Sequence, residues 1–171
     1  MKHRTPWSAA LLCWLLCLAL LTACGGSPAE AETAGSCTVS ISCATILDNL
    51  DQLNAAKADF VPDDGVILPE TELSFTEGET AFDLLQRVCR DNGISMESSW
   101  SPLYKTAYIE GIANLYEFDC GKLSGWMYSV NGEFPNYGCS GYTLQDGDVI
   151  CWVYTCDLGE DVGGGYAAGG E

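Results

Sequence analysis

The ten cysteines are the side chains with the widest chemical reach in this chain, and their spacing divides them by task. Cys24 closes the segment Leu21-Thr22-Ala23-Cys24, behind an apolar run from Leu11 to Leu21 and the basic residues Lys2 and Arg4. A short basic start, an apolar stretch too short to remain as a membrane span and small residues before a cysteine are what a bacterial lipoprotein signal needs. Residues 1–23 therefore read as a cleaved signal peptide and Cys24 as the site of lipidation, palmitate included. Acyl chains contribute about 0.8 kcal/mol per buried methylene, so a multiply acylated Cys24 would hold the protein on the outer face of a bacterial membrane.

Seven further cysteines follow, Cys37, Cys43, Cys89, Cys120, Cys139, Cys151 and Cys156. Outside the cytoplasm such residues favour disulfides, each worth roughly 2–4 kcal/mol, and none has zinc-ribbon spacing. All seven are disulfide candidates, with at least two bonds expected; no metal site is. An odd number leaves one over, and the pairing is not legible in the sequence. Cys37 and Cys43 end one extended segment about 20 Å long and cannot join each other, whereas Cys120 and Cys139 flank an expected hairpin and are placed to close its base.

The only histidine, His3, lies in the signal. Ser-His-Asp and Cys-His nucleophilic machinery, imidazole-ligated metals and imidazole acid–base steps all lose their central group. There is no G-x-S-x-G, Walker loop, G-x-G-x-x-G or C-x-x-C motif, and no carboxylate pair stands out from a solvated acidic surface. The reading is a protein that is not an enzyme and requires no cofactor. From Cys24 onward five basic residues face 24 acidic ones, a net charge of −19. A field of that sign repels phosphate backbones, so no nucleic-acid partner is expected.

These side chains need a scaffold, and periodicity supplies one. Residues 24–36, the lipidated cysteine followed by a small polar run, read as a flexible tether. Cys37 to Cys43 alternates as a half-buried strand with Cys37, Val39, Ile41 and Cys43 inward. Ile46, Leu47, Leu50 and Leu53 predict a helix over about 45–56, capped by Thr45. Val66–Leu68, stopped by Pro69, and Glu72–Phe75 are two short strands. Thr80 caps a second helix whose stripe is Ala81, Leu84, Leu85, Val88 and Cys89, and Gly93 ends it. Strands follow at 96–100, 108–112, 115–118 and 124–130. The last leads into Asn131-Gly132, which suits a type I′ turn with Glu133-Phe134 returning. A strand over Val149–Tyr154 places Ile150, Trp152 and Tyr154 on one face. Residues 159–171 are glycine-rich and acidic and read as a disordered tail.

The block Ser124-Gly125-Trp126-Met127-Tyr128-Ser129-Val130-Asn131-Gly132, with Pro135, Gly138, Tyr142 and then Leu144-Gln145-Asp146-Gly147-Asp148-Val149-Ile150, resembles a bacterial domain-of-unknown-function family similar to the C-terminal (beta) domain of transcobalamin. Ser40–Leu50, Thr80–Cys89 and Tyr108–Ile112 through Glu117–Gly121 add to the likeness, which covers residues 37–158. The resemblance implies an α+β fold: a single compact, disulfide-braced domain in which a mixed β-sheet packs against one or two helices, β-grasp-like. It also implies a small-molecule site. The B12 carriers hold a corrin between a helical domain and one like this, and no helical partner is present here.

A corrin presents a broad, partly apolar face edged with amides, which suits aromatic side chains and turn backbone. Trp126, Tyr128, Asn136, Tyr137 and Tyr142 in the second half, with Trp100 and Tyr104 around Pro102, are the candidate ligand-binding residues. The preferred reading is a surface lipoprotein that captures a small ligand, cobalamin or a related corrinoid, and passes it to a membrane transporter. The alternative is a cell-surface adhesion module that binds protein or glycan and no small molecule, to which an intramolecular isopeptide bond from Lys57, Lys105 or Lys122 would be suited.

Overall fold

The computed structural model describes residues 32–165. The expected signal peptide, Cys24, most of the tether and the last six residues lie outside the described residues. Two sheets and one α-helix make the fold among them. The larger sheet has the order β2-β1-β7-β6, from Thr33–Ser42 (β1), Val66–Thr76 (β2), Gly125–Val130 (β6) and Val149–Thr155 (β7). The smaller, β3-β4-β5, comes from Met96–Ser101, Thr106–Ile112 and Leu115–Tyr116. The central pair β1 and β7 is parallel, and each has its antiparallel hairpin partner outside it. First and last strands side by side, with the helix Ala81–Asn92 (α1) in the crossover, is the β-grasp arrangement, so the expected α+β class is the observed one.

Alternation decides what the sheet buries. Cys37, Val39 and Ile41 on β1, Cys43 just after it, and Ile150, Trp152 and Tyr154 on β7 are all at most 2% exposed. The α1 stripe of Ala81, Leu84, Leu85, Val88 and Cys89 packs on this face. The helix begins with a reciprocal cap: the Asp83 N–H donates to Thr80 Oγ1 (3.2 Å), and the Thr80 N–H donates to Asp83 Oδ2 (3.0 Å). It ends at Gly93, whose φ of 66° is the left-handed conformation that glycine adopts without steric cost. A second, smaller cluster of Cys43, Ile46, Leu115, Cys120, Tyr154 and Cys156 lies beyond the end of β1.

Several expectations are corrected. No helix forms over 45–56; there are 3₁₀ turns at Ala44–Asp48 and Ala55–Phe60. Asn49 and Asn54 bond to nearby backbone, Leu53 pairs with Cys120, and Leu50 is 57% exposed, so the apolar spacing never becomes one stripe. Val66–Thr76 is one strand with bulges, not two. Pro69 is tolerated because β2 is an edge strand, where a missing N–H breaks no ladder on the open side.

The end of the expected tether, Thr33–Ser36, is already in β1, paired with Ser74–Thr76. Gly35 permits this approach, since a Cβ there would lie 2.9 Å from Phe75 and 2.8 Å from Asp146. Asn131 and Gly132 do make the turn, with φ of 54° and 85°. The strand that returns from it is β7, however, and Glu133 makes only an isolated bridge to Val130. Part of the expected disordered tail is placed: Asp161 accepts from the Cys156 N–H (2.7 Å), and a 3₁₀ turn spans Glu160–Val162. The structure holds the seven described cysteines as free thiols and so does not show the expected disulfide bracing. Cys120 and Cys139 sit in different core clusters and do not close a hairpin.

Candidate functional site

Strand β6 ends the larger sheet, and β4 is the middle strand of the smaller; no ladder joins them. Between them runs a groove of two cavities. One, about 190 Å³, is lined by Ala107, Ile109, Tyr128, Pro135, Gly138, Cys139 and Trp152. The other, about 260 Å³, is lined by Glu117, Phe118, Leu123, Ser124, Gly125, Thr155 and Leu158. Tyr108, Trp126 and Met127 line both, so the cavities adjoin.

The elements set these side chains by pleat and turn. On β4, Ala107 and Ile109 point into the core, which turns Tyr108 outward at 45% exposure with its hydroxyl donating to the Glu117 carboxylate. Trp126 is fixed at both ends: its indole N–H donates to the Leu115 carbonyl (2.8 Å), and its ring meets Tyr154 edge-on, centroids 5.3 Å apart. Tyr128 stacks on Trp152 at 5.5 Å and donates its hydroxyl proton to the Tyr137 carbonyl (2.9 Å). Burial pushes the Tyr128 phenol well above its ordinary value, so it remains a neutral donor. Phe118 has φ 67°, a left-handed conformation that a bulky residue seldom adopts, and it stands 63% exposed at the groove's edge. Glycine is required at 138, where a Cβ would meet Thr106 Oγ1 at 1.9 Å.

One polar atom at this groove is unmatched. Trp152 is 2% exposed, and its indole N–H has no hydrogen-bond partner. An unpaired buried donor costs about 1–3 kcal/mol, so a ligand bearing an acceptor would relieve that cost on reaching it.

The sequence candidates divide. Trp126 and Tyr128 line the groove. Tyr137 contributes its backbone carbonyl to Tyr128, while its ring is 51% exposed; the neighbouring Asn136 is exposed and lines neither cavity. Tyr142 donates to Asp148 Oδ2 (2.7 Å), and burial, then that carboxylate, push its phenol up to about 12, which makes it a brace of the Gln145–Asp148 turn. Trp100 and Tyr104, 62% and 77% exposed, belong to the β3–β4 hairpin away from both cavities, with Leu103 at 79% beside them. Tyr108, Met127, Phe118 and Leu158 are not candidates from the sequence, and Trp152 counts there among the aromatic residues of the second half without being one of the candidates. A tyrosine between two inward apolar residues of one strand is the signal that Tyr108 offered; Phe118 and Leu158 have none, since turns bring them to the groove.

Fold and groove define a class, a β-grasp-like α+β domain with an aromatic cleft between its sheets. Residues 78–156, from the α1 cap through β7, match the family described as "Domain of unknown function (DUF4430)". It is the kind of family expected from the residues. No curated protein matches the chain. Among solved structures the chain is similar to haptocorrin in complex with Cbi, at 16% identity over 80% of this chain with a TM-score of 0.49. It is also similar to a protein of Ruminococcus gnavus ATCC 29149 provisionally described as metal binding, at 17% identity over 71% of this chain with a TM-score of 0.40. The chain spans 28% of the haptocorrin chain and 96% of the other.

Proposed function

We propose that this chain is a non-catalytic binding module, held outside the cytoplasm through lipidated Cys24, that takes the edge of a flat, largely apolar ligand into the β4–β6 groove. The observation that carries the reading is the meeting of Tyr108, Trp126 and Met127 along both cavities with the unpartnered N–H of Trp152. A corrinoid fits this chemistry, being flat, partly apolar and rimmed with amide carbonyls that accept hydrogen bonds, and it agrees with the resemblance of residues 37–158. Each cavity is smaller than the roughly 300–1,000 Å³ of sites that enclose a drug-sized ligand, so a corrinoid would enter by one edge. Binding by one edge leaves much ligand surface in water, and such a module would bind more weakly than a two-domain clamp and release readily to a transporter. Cobalt would receive no imidazole from residues 24–171, since the one histidine of the sequence is His3.

Calorimetry of the chain from Gly25 to Glu171 with cobinamide and cobalamin tests this. The expected result is measurable heat that Tyr108→Ala weakens at least about tenfold, the scale of one lost aromatic contact, and that Trp100→Ala leaves unchanged. No binding of either corrinoid at millimolar concentration to the folded protein would overturn it. The second reading, a protein- or glycan-interaction module, is favoured by the exposed Trp100, Leu103 and Tyr104 on the β3–β4 hairpin.

A further inference from the structure

Cys120 and Cys156 arrive in the second core cluster from opposite walls of the groove. Cys120 follows the turn that holds Glu117 and Phe118; its N–H donates to Ser124 Oγ (3.1 Å) and its thiol to the Asn49 carbonyl (3.4 Å). Cys156 follows β7 and precedes Leu158 on the other wall, with its thiol 3.9 Å from Thr45 Oγ1. They are 0% and 7% exposed, they share the second core cluster, and their thiols reach one segment, the 3₁₀ turn Ala44–Asp48 and the Asn49 that follows it, where the Asn49 amide donates to the Thr45 carbonyl (2.8 Å). Cys37, Cys89 and Cys139 belong to the main core, and Cys151 lies on the opposite face of β7. Cys43 shares the second cluster but enters it from the end of β1, with its N–H on the Gly65 carbonyl, and belongs to neither wall of the groove.

We infer that Cys120 and Cys156 are a redox pair, oxidised outside the cytoplasm to one disulfide that ties the two walls of the larger cavity together at their base. The oxidant is a low-molecular-weight or protein disulfide, RSSR. One cysteine loses its proton and attacks RSSR, forming a mixed disulfide and releasing RS⁻; the second then attacks the protein sulfur of that mixed disulfide and releases the other RS⁻. The two cysteine sulfurs are oxidised, the two RSSR sulfurs are reduced, and the two protons leave as two RSH. Burial holds both thiols above their ordinary value, Cys156 up to about 12, so thiolate is scarce and exchange is slow in either direction. The bond closes a loop containing β6 and β7, and so constrains the strands that carry Trp126, Met127 and Trp152. This pairing holds whether or not the groove takes a corrinoid.

The test is to incubate the reduced chain with glutathione disulfide until its free-thiol count is constant, alkylate, and digest without reductant. The expected product is a peptide pair joining Cys120 to Cys156, two hydrogens lighter than its reduced parts, with Cys37, Cys43, Cys89, Cys139 and Cys151 alkylated. The same linkage should persist in Cys43→Ala, and the oxidised form should melt about 10 °C above the reduced one, as closure of a loop of this length implies. Alkylation of both Cys120 and Cys156 in the wild-type chain would overturn the inference, as would the joining of either to Cys43 or to any other cysteine. Because the mapping is done on the wild-type chain, a variant that fails to fold does not affect it.

Discussion

Replacing Tyr154 by phenylalanine removes a single oxygen from a fully buried, doubly hydrogen-bonded hydroxyl. Tyr154 is 0% exposed; its hydroxyl donates to the Tyr116 carbonyl (2.7 Å) and shares a hydrogen bond with Ser124 Oγ (2.9 Å). Phenylalanine keeps the ring against Trp126 and leaves almost no void, so the loss is one of hydrogen bonding, not packing. Ser124 retains Cys120 N–H and the Gly121 carbonyl, and the Tyr116 carbonyl keeps the Asp119 N–H (3.2 Å). Losing one hydrogen bond from acceptors that keep another partner costs about 0.5–1.5 kcal/mol net, so the expected destabilisation is about 1 kcal/mol. For a domain of this size that is a fall of roughly 3–5 °C in Tm, read by thermal and urea unfolding under reducing conditions. Tyr104→Phe, at 77% exposure, is the control and should not move the midpoint. Amide exchange at Phe118, whose N–H donates to the Ser124 carbonyl (3.0 Å), should quicken as this wall of the groove loosens. A loss below about 0.5 kcal/mol would refute the claim that this hydroxyl bridges the two sheets.

Burial pushes the thiols of Cys37, Cys43, Cys89 and Cys139 up to about 11, so in reductant the native chain keeps protons that the unfolded chain releases. Their contribution is present in full below about pH 9 and is lost as pH rises through about 11, by at most about 1.4 kcal/mol per pH unit for each thiol. Urea midpoints should therefore fall steeply over that window; a flat profile would show that these thiols ionise alike in both states. Cys24→Ala should abolish incorporation of a fatty-acid analogue in a bacterial host, and label persisting on that variant would rule out Cys24 as the anchor.

The sequence by itself determined those features whose causes are local. The α1 helix is one, because Thr80, Asp83 and Gly93 supply its ends and the stripe from Ala81 to Cys89 supplies its buried face. The inward faces of β1 and β7 are another, since alternation leaves one side for the core. The left-handed turn at Asn131-Gly132 follows from which residues tolerate positive φ. Trp126 and Tyr128 were also legible as site candidates, being aromatic residues in the block that carries the family likeness.

Tertiary structure decided everything that depends on pairing between distant segments. The spacing of Ile46, Leu50 and Leu53 satisfied a helix, yet the chain there gave its backbone to Asp119 and Cys120 instead, because those groups were near enough to bond. The β4–β6 groove exists because β5 is only two residues long and β6 ends its sheet, leaving two strands side by side without a ladder. Tyr108, Phe118, Trp152 and Leu158 meet there although 50 residues separate the first from the last. The meeting of Cys120 and Cys156 in one cluster has the same origin: spacing along the chain says nothing of which buried thiols come together, and only the closure of two sheets on one small cluster brings these two to it.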